Sequence, residues 1–148
     1  MKGFTLIIVA IIAGSASAGK NYYISEDKLN WHGAYQSCAS RGRQLATINS
    51  CTEGLAVKKA MRGAGAANET LWISATDLGK KGDFVWMVNG KPIEYSKYGP
   101  EQPDNANNAQ HCVNLQPNAE NKQVFWYNGN CSEPLMYVCE DKPRICAA

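Results

Sequence analysis

The chain lacks most of the features that would mark an enzyme or a membrane protein. No apolar run approaches the ~20 residues of a membrane-spanning helix, the run from Phe4 to Ile12 falling well short. There is no Gly-x-Ser-x-Gly elbow, His-Glu-x-x-His pair, phosphate loop or dinucleotide fingerprint, so the common catalytic frameworks are missing. No Cys-x-x-Cys pair occurs, and the two histidines, His32 and His111, lie far apart, which argues against a zinc site. His32 falls beside a helical stripe and reads as a surface residue, and no nucleophile is evident for His111 to activate. Linkers, repeats and low-complexity tracts are absent. Lys and Arg are interspersed with acids, and the formal net charge is only +2, so nucleic acid and anionic membranes are poor partners. The short basic set Arg41, Arg43, Lys58, Lys59 and Arg62 reads as a solvated helix face, although a sulfated glycan could use it.

What is present begins with a leader. Lys2, the Phe4–Ile12 run and Ala16-Ser17-Ala18 have the three sections of a secretory signal peptide, with cleavage after Ala18. Residues 1–18 are therefore expected to be removed. Residues 19–148, roughly 130 in all, suit one domain with one core. The six cysteines of this exported part predict three disulfides, and they allow 15 connectivities that spacing alone does not separate. Asn68-Glu69-Thr70 is an open glycosylation sequon, and Asn130-Cys131-Ser132 is a second in form.

Tyr22 to Ile24 suits a first strand. From Glu26 to Ser40, Trp31, Ala34, Tyr35 and Cys38 recur at helical spacing, with Gly42 available to end the turn. Ser50 and Glu53 match a capping box, which predicts a second helix running to about Met61 before the glycine- and alanine-rich stretch 63–68. Five short strand candidates follow: 71–75, 84–87, 112–115, 124–127 and 135–139. Helices first and strands afterwards predict an α+β domain with a mostly antiparallel sheet. The long polar segment from Gly90 to Gln110, with Pro92, Pro100 and Pro103, is the place to look for a site.

Several of these residues occur in a diagnostic order. Trp31 with Cys38, Leu45-Ala46-Thr47-Ile48, Leu71-Trp72-Ile73-Ser74-Ala75, Gln102-Pro103-Asp104-Asn105, Cys112-Val113-Asn114-Leu115, Trp126 five residues before Cys131, and Tyr137-Val138-Cys139 together resemble a C-type lectin domain, in the style of short secreted insect lectins. The resemblance covers essentially the whole mature chain. It implies disulfides Cys38–Cys139 and Cys112–Cys131, leaving Cys51 and Cys146 for a bond to each other or for a covalent dimer. It also implies that glycans or glycoproteins are the partners, that the long loop holds Ca²⁺, and that Gln102-Pro103-Asp104, with a cis proline, is a galactose-type triplet. The carried-over ligand set is Gln102, Asp104, Gln110 and Asn128, with Tyr127 standing where an amide ligand is usual and serving, with His111 as the alternative, as the ring that packs on the sugar. Gln110 and Asn128 are amides at acidic positions, which predicts a weakened calcium site. At the auxiliary calcium position Asp77 is kept, but Lys81 replaces an acid. Two readings follow: a galactose-type lectin with a humoral or salivary role, or a lectin-like interaction module that works without calcium.

Overall fold

The computed structural model describes residues 19–144. The proposed leader and Cys146 lie outside the described residues. The order of elements is β1 (Tyr22–Ile24), α1 (Trp31–Ser40), β2 (Arg43–Leu45), α2 (Cys51–Gly63), β3 (Leu71–Thr76), β4 (Val85–Trp86), a 3-10 turn (Ala106–Asn108), β5 (Cys112–Pro117), β6 (Val124–Gly129) and β7 (Met136–Asp141). The sheet runs β1-β7-β3-β5-β6, with β2 paired to β7 and β4 to β3. All pairings are antiparallel except β3 with β7. This is the expected α+β architecture.

The first helix starts later than its periodicity predicts. Leu29 exchanges backbone hydrogen bonds with Leu135 at 3.0 Å, which holds the chain extended ahead of the helix. Asn30 then caps it, its side-chain oxygen accepting from Gly33 N at 2.8 Å. Gly42, at φ +71°, turns the chain after the helix. At the second helix Ser50 Oγ accepts from Glu53 N at 3.1 Å, as a capping box requires. The Glu53 carboxylate, however, accepts from Asn49 N at 2.7 Å, one residue before the cap. Strand β2 carries only Arg43, Gln44 and Leu45, too short to show a period in the sequence.

Two apolar clusters lie on opposite faces of β3, all of whose residues are buried. Leu71, Ile73 and Ala75 face α2, packing with Val57, Met61, Val113, Leu115 and Trp126. Trp72 faces α1, joining Trp31, Ala34, Leu45 and Tyr137. Two of the buried indoles keep a hydrogen bond: Trp31 Nε1 donates to Ile73 O at 2.8 Å, and Trp72 Nε1 donates to Leu29 O and Glu133 O.

Cys38 bonds to Cys139 and Cys112 to Cys131, the first closing a separation of 101 residues and the second one of 19. Loop-closure entropy makes the longer bridge the greater constraint on the unfolded chain, by about 4.7 against about 3 kcal/mol. Cys51, exposed at the start of α2, has no disulfide partner among the described residues.

Candidate functional site

The segment between β4 and β5 is held at its base before it opens. Val85 bridges to Pro92 and Tyr98 to Trp126, so the outgoing chain runs along the edge of β6. Trp126 N donates to Lys97 O at 2.8 Å and Gly99 N to Trp126 O at 3.0 Å, which covers a strand edge that would otherwise be unpaired. Beneath the loop Trp126 makes edge-to-face contacts with Trp86, Tyr95 and Tyr98. The Tyr98 hydroxyl is buried without a partner, and its pKa is pushed up to about 12, by burial first and by the charge of Asp77 second.

The loop itself is ordered by side-chain amides. The Gln102–Pro103 bond is cis, and Glu101, Asn105, Asn107 and Asn108 all have positive φ, a conformation asparagine adopts more readily than most residues. Gln102 Oε1 accepts from Asn128 N at 3.2 Å, and Asn128 Oδ1 accepts from Asp104 N at 3.2 Å. Asn128 Nδ2 donates to Gln110 O at 3.0 Å, while Gln110 Oε1 accepts from Ala106 N at 3.2 Å. Asn105 Oδ1 accepts from Gln110 N at 3.2 Å, and Asp104 Oδ1 accepts from Ala106 N at 3.3 Å. The structure thus brings Gln102, Asp104, Gln110 and Asn128 together, with Asn128 buried at the centre and Asp104 exposed. Asn105 belongs to the same network and was missed by residue-type reasoning. Its only signal in the sequence is the richness of the loop in asparagine.

Tyr127 does not join the set. Successive strand residues point to opposite faces, so Tyr127 faces away from Trp126 and Asn128. Its ring lies on Gly99, where any added Cβ would overlap it. Strand alternation thus separates Tyr127 from Gln102 and Asn128, the residues beside which it was expected to pack on a sugar. His111 is also committed, with Nδ1 2.8 Å from Asp77 Oδ1 and Nε2 3.2 Å from Asn108 O.

The donor set does not fit calcium. The ion takes six to eight oxygens, and its affinity follows the number of charged ligands. Here the carbonyl oxygens of Gln102, Gln110 and Asn128 already accept backbone N–H groups, and Asp104 supplies the one carboxylate. At the auxiliary position Asp77 Oδ1 faces His111 and Oδ2 accepts from Gly82 N at 2.8 Å. Among the described residues no group of three or more His, Cys, Asp or Glu is arranged to hold a metal.

A two-helix α+β domain closed by two disulfides, whose long loop gathers amides and a carboxylate at its surface, defines a ligand-recognition module of the lectin type. The family model described as the lectin C-type domain matches residues 27–141, and the chain belongs to that family, whose members bind carbohydrate without catalysis. It is 33% identical over 150 residues to a salivary C-type lectin of Aedes albopictus, covering 97% of this chain and 98% of that one. The carbohydrate-recognition domain of the mouse scavenger receptor C-type lectin superposes with a TM-score of 0.70 at 28% identity, covering 86% of this chain and 92% of that one. The corresponding domain of cow CD23, solved in the presence of an oligosaccharide, gives a TM-score of 0.69 at 28% identity, covering 86% and 90%. No helix among the described residues is long and apolar enough to cross a membrane.

Proposed function

We propose that the mature chain, residues 19–148, is an exported lectin that binds galactose-type glycans on glycoproteins through the 102–110 loop, with the amide network replacing calcium as the element that holds the loop. The observation that carries this reading is the direction of the amides. Their oxygens are turned inward onto backbone N–H groups, while Nε2 of Gln102 and Nε2 of Gln110 have no protein partner among the described residues. Such an amide donates to one sugar hydroxyl while the exposed Asp104 carboxylate accepts from its neighbour, and charge-assisted bonds of this kind are the stronger ones. The Gln102-Pro103-Asp104 triplet supports the galactose class. The leader-like residues 1–18 and the salivary relative support an extracellular setting and a salivary or humoral recognition role. Maturation would add a glycan at Asn68 and an intramolecular Cys51–Cys146 bond in preference to a covalent dimer.

A glycan array run in calcium and again in chelator tests this. Galactose-terminated glycans should be retained equally in both buffers, and the Asp104→Ala variant should retain none of them. A signal only in calcium would return the ion to the loop. No signal in either buffer would favour the second reading, a lectin-like interaction module, which the absence of an aromatic platform at Tyr127 supports.

A further inference from the structure

Two hollows lie end to end along α2, between the helix and the β5–β6 hairpin. The first, of about 280 Å³, sits between Cys51 and Leu55 of the helix and the rings of Tyr95 and Trp126. The second, of about 420 Å³, sits between Met61 and Pro117. Lys58 and Val124 line both, so the hollows form one trough with a saddle at its middle. Apolar side chains make its floor, and Leu55 on its edge is 62% exposed.

The rim carries charge of one sign. Lys97 stands at the first hollow, Lys58 at the saddle, and Arg62 and Lys122 at the second, while no Asp or Glu lines either hollow. Among the described residues none of these four makes an ion pair, whereas Lys20, Lys28, Arg43 and Lys80 all do. The basic set expected to form one solvated face is in fact divided. Arg43 lies over the Tyr23 ring and reaches Asp141, Arg41 lies by Glu26 and Asp27, and only Lys58 and Arg62 turn to the trough. In a chain of net charge +2, four unpaired cations around one apolar trough are an unbalanced local field.

We propose that this trough docks an acidic segment of a partner protein, bound extended along α2 with two apolar side chains in the two hollows. The match is one of charge and of shape together. A sulfated glycan would satisfy the cations but leave the apolar floor wet, and a fatty acid would cover the floor but bring one charge to four cations. An extended peptide meets both demands, because its alternate side chains separate anchors from carboxylates. Leu55 and Arg62 are seven helical steps apart, about 10 Å, which an extended chain covers in roughly three residues.

The test is fluorescence anisotropy in chelator with a labelled acidic octapeptide carrying two leucines four positions apart, the shortest spacing that spans about 10 Å and keeps both on one face of an extended chain. The full mature chain is used with and without Asn68→Gln, since a glycan on Asn68 would stand at the mouth of the second hollow. Binding should appear in the Asn68→Gln protein and resist excess galactose. Lys58→Glu and Lys122→Glu should each weaken it about tenfold, as should replacing the leucines by serine. Melting temperatures of the variants guard against misfolding. Equal binding of the serine peptide, preference for a heparin oligosaccharide, indifference to both charge reversals, or no binding at all would overturn the proposal.

Discussion

Asn128 links the two arms of the loop. Its backbone N–H, its side-chain Oδ1 and its side-chain Nδ2 each hold a different partner, Gln102, Asp104 and Gln110 in turn. Only 4% of it is exposed, so truncation leaves backbone groups around it with poor access to water. Asn128→Ala should cost about 1–3 kcal/mol of stability in urea unfolding and weaken glycan binding with it. Asp104→Ala should leave the urea midpoint almost unchanged, because the carboxylate is exposed, and should act on binding alone. Tyr98 gives a second test at this scale. Its folded-state pKa lies above the unfolded value near 10, so the protonated phenol is favoured by folding. The resulting stability is fully present below about pH 10 and is lost as pH rises through about 12. Tyr98→Phe should therefore flatten part of the alkaline fall in urea midpoint and cost little at neutral pH, since the hydroxyl it removes has no partner.

Among the elements, the helices were legible because burial imposed a period, and the central strands because short apolar runs, buried almost throughout, are bounded by polar turns. Trp31, Ala34 and Cys38 repeat at helical spacing, and all three are buried. What could not be read came from pairing partners distant in sequence. Leu29 is held extended by Leu135, which delays α1, and β2 exists only because β7 lies beside it. The loop was legible in residue type but not in direction. The resemblance named Gln102, Asp104, Gln110 and Asn128, which the structure places side by side, whereas the facing of Tyr127 depends on strand register, and the place of Asn105 on a left-handed turn. The Ser50 cap is a local feature that can be tested locally. Ser50→Ala should destabilise the chain by about 1 kcal/mol, read as a lowered urea midpoint at unchanged m-value.

For the whole molecule, the disulfides and the two apolar clusters build a rigid frame, and the frame presents two surfaces of different chemistry. One is the amide-lined loop with its Asp104 carboxylate over Trp126, and the other is the cationic trough beside α2. Both adjoin Trp126, so the packing of one ring supports a proposed glycan site and a proposed peptide site. Hydrogen bonds, not an ion, hold the loop proposed to bind glycan. A ligand that binds the native state must raise its melting temperature, by mass action. The most direct measurement is therefore calorimetric melting of the mature chain in chelator and in calcium at about 10 mM, above the range at which extracellular calcium sites fill. The same melting temperature in both is the predicted result. A rise of several degrees in calcium would contradict it, since it would show that the loop closes on an ion.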